Sequence, residues 1–167
     1  MLIIVEGIDR VGKTTLINLI HKKINFPIYR HIGKRDFNKI DNEVETDKFM
    51  QILEICKLSE SNIIFDRFHW SDFVYGCLQR NYNEANAVTN KNIVEDFLQE
   101  LHAVIILVKP TDIISSSKQH GIDLTKHEQL FENVFDNSSL NKFACTYENL
   151  EDAVNWVCSE LQKRIDC

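Results

Sequence analysis

Proline is nearly absent from this chain, with two in 167 residues, and glycine is scarce, with five. So few breakers exclude a collagen-like or low-complexity chain, and each one present marks a specific turn. The five cysteines, Cys56, Cys77, Cys145, Cys158 and Cys167, are odd in number and none stands in a CxxC pair. A disulfide scaffold and a zinc site are therefore not expected, and a reducing, cytoplasmic setting is. The six histidines show no metal-ligand spacing either. No apolar run is longer than Ala103–Val108, far too short to span a bilayer, so no membrane partner is expected. The chain reads as a strand from Leu2, and no signal peptide is expected ahead of it. Positive charge is in deficit: 19 basic against 25 acidic side chains leave a formal charge of −6. Long-range steering of nucleic acid is disfavoured, although a local basic patch is not. What remains is 44% hydrophobic and 26% charged, the balance of a globular protein with room for one domain over residues 1–167.

The hydrophobic pattern alternates between two periods. Leu2-Ile3-Ile4-Val5, Ile63-Ile64-Phe65 and Ala103–Val108 are short continuous apolar runs, the pattern of strands buried on both faces. Phe26–Ile32, entered at Pro27, and Lys142–Thr146 complete five expected strands. Between them, Leu16, Ile17, Leu19, Ile20 and Ile24 follow a helical period, as do Phe49, Ile52, Leu53 and Cys56 within Val44–Leu58. Trp70–Gln79 and Asn90–Leu101 read as helices, and Leu150–Ile165 as an amphipathic one. Asp112–Ser139 is polar with helical stretches. Strands alternating with helices predict an α/β fold with a five-stranded parallel sheet between two helical layers. Ligands in such sheets bind at the carboxyl ends of the strands.

The residue types at those ends carry chemistry. Gly7-Ile8-Asp9-Arg10-Val11-Gly12-Lys13-Thr14-Thr15 fits G-x4-G-K-[ST], after a buried strand and ahead of a helix. The glycines let backbone N–H groups turn toward phosphate oxygens, Lys13 reaches the β and γ phosphates, and Thr14 is placed to ligate Mg²⁺. Nucleotide binding follows, with ATP preferred over GTP. Asn38-Lys39-Ile40-Asp41 matches the guanine-reading N-K-x-D pattern but precedes the third strand, too early for that role, and reads as a chance match. A second constellation closes the third strand. Asp66 can hold Mg²⁺ through water and Arg67 can grip a phosphate bidentately, or the two can form a structural ion pair.

Together these segments resemble the thymidylate kinase family of P-loop nucleoside monophosphate kinases. Val5-Glu6-Gly7-Ile8-Asp9-Arg10-Val11-Gly12-Lys13-Thr14-Thr15 is similar to its E-G-x-D-x-x-G-K-[ST]-T opening. Asp66-Arg67, with Ser71, Val74 and Tyr75, is similar to its D-R-[YHF]-x-x-S-x-x-A-[YF] segment, in the manner of a small, phage-like member. The resemblance implies a three-layer P-loop kinase fold, a homodimer, and a lid over about residues 111–139. It implies that Asp9 contacts the acceptor sugar and orients Arg10, that Arg67 holds the acceptor phosphate, and that Asp66 helps place Mg²⁺. Arg30 resembles the family's other acceptor-phosphate arginine, with Lys34 and Arg35 as rivals. The family puts a transition-state arginine either in the phosphate loop or in the lid. No arginine occurs between Arg80 and Arg164, so Arg10 would serve.

Two departures leave the acceptor base open. Val44–Leu58 lacks the family's F-x-x-x-R element: Phe49 could stack on the base, but no arginine follows it, and a core role suits it equally. The link into the third strand is also short. Ser71 and Tyr75 are candidate acceptor contacts, while His69 and Trp70 could line the pocket or pack. Lys118, His120, Lys126 and His127 fall in the lid stretch, and Gly121 could hinge it. The expected activity is Mg-ATP-dependent phosphorylation of a deoxynucleoside monophosphate, dTMP or a related pyrimidine. Arg10, Lys13 and Arg67 would be catalytic, and Gly7, Asp9, Val11, Gly12, Thr14 and Thr15 would complete the nucleotide site. The alternatives are a kinase of hydroxymethylated pyrimidine, as nucleotide or within DNA, and a nucleotide-binding module without turnover.

Overall fold

Strand β1 (Leu2–Glu6) is buried at every residue and forms the middle of the molecule. The computed structural model describes residues 1–30, 42–111 and 124–166. After β1 come α1 (Lys13–Ile24), β2 (Ile28–Arg30), α2 (Asn42–Leu58), β3 (Ile63–Asp66), α3 (His69–Gln79) and α4 (Glu84–Glu100). Strand β4 (Val104–Lys109), α5 (Thr125–Asn137) and β5 (Asn141–Thr146) follow, then a 3₁₀ turn at Tyr147–Asn149 and α6 (Leu150–Ile165). The five strands are all parallel, in the order β2-β3-β1-β4-β5. The expected α/β/α architecture with a five-stranded parallel sheet is the one observed.

Register decides where the functional residues meet. Val5 pairs with Asp66, Glu6 with Leu107, Arg30 with Asp66 and Lys109 with Thr146. The carboxyl ends of all five strands thus lie along one edge of the sheet, with the loop after β1 at its centre. Helices α1 and α6 pack together, while α2, α3, α4 and α5 form a second packed group. The core joins β1 and β4 to Phe49, Phe65, Phe68, Trp70 and Phe131, each at most 2% exposed. Side chains of that size contribute about 1.5–3 kcal/mol apiece on burial.

Boundaries differ from the expected ones where polar chemistry intervened. Helix α4 starts at Glu84 rather than Asn90, because the Asn83 side chain accepts the Asn86 N–H (3.2 Å) and caps a turn that carries only Ala87 as a buried residue. Helix α1 stops where Asn25, at φ +56°, donates its N–H to the His21 carbonyl (2.7 Å). The second strand is shorter than expected within the described residues. Lys34, Arg35, the Asn38–Asp41 segment, Lys118, His120 and Gly121 lie outside them. Among the described residues no helix is long and apolar enough to cross a membrane.

Candidate functional site

The loop between β1 and α1 curls because two of its residues have no side chain. Gly7 lies at φ +135°, where a Cβ would collide with the Val108 carbonyl oxygen. Gly12 lies at φ +100°, where a Cβ would stand 2.6 Å from the Tyr147 ring. Any other residue would be strained and blocked at both positions. Arg10, on the exposed crown of the loop, also takes a left-handed turn (φ +65°). Val11 is buried and anchors the loop from below.

Lys13 opens α1 with its side chain buried, and its ammonium group donates to the Ile8 carbonyl across the loop. Burial and the neighbouring Arg67 pull its pKa from 10.5 to about 7, against Asp9, Glu6 and Asp66. Thr14 and Thr15 are exposed in the first turn, where backbone N–H groups and the helix dipole favour anions. A cleft of about 450 Å³ is bounded by Asp9, Arg10, Gly12, Lys13, Thr14 and Thr15, with Asp66 and Arg67 from the end of β3 and Tyr147 after β5.

Arg67 donates to the Asp9 carboxylate, and its guanidinium lies 5.3 Å from the centre of the Tyr75 ring. Burial opposes its charge, but Tyr75, Asp9 and Glu6 outweigh that and hold its pKa above the usual value. Tyr75 is itself buried, its ring beside the Arg67 guanidinium. Asp66 is partly buried, with the exposed Arg30 reaching it at 3.7 Å. Asp9, Arg10, Lys13, Thr14, Asp66 and Arg67 are therefore brought together, with Arg30 and Tyr75 at the margin.

Other expected site residues stand apart from the cleft. Phe49 is 2% exposed and packs on Phe68 with ring centroids 4.5 Å apart. Ser71 gives its hydroxyl and its N–H to Glu6. Trp70 is fully buried and donates to Glu95 (2.7 Å), which also lies 3.6 Å from His69 and 3.1 Å from Lys91. His127 packs against Tyr75 (5.1 Å) and bonds Gln79 (3.0 Å), which ties the start of α5 to α3, whereas Lys126 is exposed.

One residue of the cleft, Tyr147, and one behind it, Glu6, went unassigned in the sequence. Tyr147, 57% exposed, lays its ring over Gly12. It is held there because the Thr146 N–H and hydroxyl both reach Asn149 Oδ1 (2.6 and 3.1 Å). An aromatic directly after the last expected strand was its only signal. Glu6 is wholly buried, and its carboxylate accepts from Phe68 N (2.8 Å), Ser71 N (3.2 Å) and the Ser71 hydroxyl. Its signal was a charge closing an apolar run. Among the described residues no cluster of three or more His, Cys, Asp or Glu could hold a metal. The oxygens of Thr14 and Asp66 across the cleft suit a hard cation that arrives with a nucleotide.

No protein-family profile matches the chain. It is 24% identical to the SPbeta prophage-derived uncharacterized protein YorR of Bacillus subtilis (strain 168), over 98% of this chain and 96% of that one. The crystal structure of Bacillus subtilis YorR, in complex with phosphorylated GDP, superposes with a TM-score of 0.77 at 20% identity and covers 100% of this chain and 99% of that one. Thymidylate kinase from Ehrlichia chaffeensis gives 0.62 at 16% identity, covering 92% and 96%. Deoxyadenosine kinase from M. mycoides, with dCMP and dCDP, gives 0.57 at 18% identity, covering 98% and 100%. This chain is thus similar over its whole length to proteins of this kind, and its fold is the P-loop kinase fold.

Proposed function

We propose that this chain transfers the γ-phosphoryl group of ATP to the phosphate of a deoxynucleoside monophosphate, with dTMP or a related pyrimidine as acceptor. The observation that carries this reading is Arg67, which faces the phosphate loop across the same cleft as Lys13 and pairs there with the carboxylate of Asp9. A guanidinium that binds a carboxylate at that spot is equally suited to a phosphate. Among the described residues, the carboxylates around it support a phosphate acceptor over a hydroxyl. Glu6 is spent on α3, Asp66 faces Arg30 and Asp9 faces Arg67. An acceptor hydroxyl would need a base to take its proton, whereas a monophosphate brings an ionised oxygen of its own.

In this reading the phosphate loop and Lys13 hold the donor, and Arg67 aligns an acceptor phosphate oxygen in line with the γ-phosphorus. A bond forms from that oxygen to phosphorus, the bond to the β,γ-bridging oxygen breaks, and ADP leaves with the electron pair. Arg10 and Lys13 offset the charge on the moving group. Mg²⁺, when bound by Thr14 and through water by Asp66, would neutralise the β and γ phosphates. Arg30 lies next to Asp66, within reach of the acceptor end.

The test is ADP release from Mg-ATP with dTMP, dUMP, hydroxymethyl-dUMP, dCMP, dGMP, dAMP, thymidine and hydroxymethyl-containing DNA as acceptors. Because YorR was crystallised with a phosphorylated GDP, GTP belongs beside ATP as a donor. Turnover with a pyrimidine monophosphate is the expected result. Turnover with thymidine or with DNA only would overturn it, and ATP binding without turnover would leave a nucleotide-binding module.

A further inference from the structure

Arg67 sits at φ +68°, in the left-handed region that a side chain rarely adopts. Such a residue persists only where its surroundings over-determine it. The residues that do so belong to consecutive positions of β1. Val5 accepts the Arg67 N–H through its carbonyl oxygen (3.0 Å). Glu6 then takes the next free donors of the turn: the Phe68 N–H (2.8 Å) and the Ser71 N–H (3.2 Å) on one carboxylate oxygen, and the Ser71 hydroxyl on the other. Helix α3 begins at His69 after Phe68, which has no side-chain oxygen to cap it. A carboxylate from a different strand does the capping, and its charge suits a helix N-terminus.

From this geometry we infer that Glu6 is a positioning residue for the acceptor: it fixes the turn at Arg67 and so aims the guanidinium into the cleft. The inference rests on the proposed function and adds a residue to it. Glu6 is fully buried and does not line the cleft, so it touches neither nucleotide and acts through Arg67. Its influence should fall on the acceptor half of the site. The phosphate loop keeps its own supports in Gly7, Gly12 and the Lys13–Ile8 bond.

Steady-state kinetics with Mg-ATP and the acceptor that the wild-type protein turns over, together with calorimetric ATP binding, test this on Glu6→Gln, Glu6→Asp and Ser71→Ala. Glu6→Gln is expected to raise the acceptor KM about tenfold or more, with ATP affinity changed by less than about twofold when both are measured near pH 5.5, where Lys13 keeps its proton without the Glu6 charge that helps hold it at neutral pH. Ser71→Ala, which removes one bond to Glu6, should move the acceptor KM in the same direction by less, and Glu6→Asp should recover part of the loss. In an Arg67→Ala background, Glu6→Gln should add little, because the two act as a unit. Equal losses of ATP and acceptor binding, or full additivity with Arg67→Ala, would overturn the inference. If Glu6→Gln fails to fold, an unchanged acceptor KM in Ser71→Ala does the same. A crystal structure of Glu6→Gln or Ser71→Ala separates this from the functional reading. Displacement of the Arg67 turn is expected, and an Arg67 that stays in place sinks the positioning role whether or not any acceptor is phosphorylated.

Discussion

In the proposed function, Lys13 is the residue on which donor binding would turn. With a pKa of about 7 it loses its proton as pH rises through neutrality, and the neutral amine attracts phosphate far less. ATP affinity, measured by calorimetry, is expected to fall between pH 7 and pH 9. Lys13→Ala should lower kcat/KM by at least about a hundredfold, the scale for losing one charge-stabilising donor in a phosphoryl-transfer site. Tyr147 contributes differently. Under the proposed function its exposed ring beside the phosphate loop would offer a flat face to the donor base, and such stacking is worth about 1–3 kcal/mol per base. Tyr147→Ala should therefore raise the ATP KM by roughly five- to a hundredfold and leave the acceptor KM alone, while Tyr147→Phe should keep most of the affinity. Lys13 was legible from the motif that contains it. Tyr147 was not, because nothing in a linear pattern says which loop folds over Gly12.

Among the elements, α3 and α4 are joined through buried charge. Burial alone would raise the Glu95 pKa, but His69, Lys91 and Trp70 outweigh it and hold the carboxyl near 2, below its usual 4.5. The folded state therefore binds this proton less readily than the unfolded chain. Glu95 stabilises the fold above about pH 4.5, and that contribution is lost as pH falls toward 2. Thermal melts followed by circular dichroism should show Glu95→Gln less stable at pH 7, with a shallower loss of Tm between pH 5 and pH 2.5 than the wild type. At the other end of α4, Asn83→Ala should cost about 1 kcal/mol through loss of the cap, read from denaturant unfolding. Most elements were legible from period alone, since Leu150–Ile165 and the strand at Ile63 lie where their apolar residues repeat. The first turn of α4 was not, because its residues are mostly exposed and polar and the helix there rests on a cap.

For the molecule as a whole, the formal charge of −6 disfavours long-range attraction of a polyanion. A nucleotide acceptor should be phosphorylated at a rate that depends weakly on salt. A DNA acceptor would lose affinity steeply between 50 and 200 mM salt, by about 10³-fold if six or so phosphates are contacted. Phe131 joins α5 to the core across α3, with its ring 6.3 Å from Tyr75. Phe131→Ala should cost about 3–5 kcal/mol of stability and loosen the wall behind Tyr75 and Arg67, seen as a lower Tm with a raised acceptor KM.

By itself the sequence determined that β1 is buried, that a phosphate loop follows it, and that an aspartate and an arginine close the third strand. These are local matters of apolar runs, glycine spacing and residue type. Tertiary structure decided which of the polar residues share one cleft. Strand register carries Asp66 beside Val5 and so brings Arg67 to Asp9 and Lys13. The helical twist of α3 turns His69 and Trp70 toward Glu95 and Ser71 toward Glu6, and Phe49 is taken up by Phe68. Those outcomes depend on contacts between residues far apart in the chain. Periodicity places a residue on a face of its own element, and only packing decides what that face meets.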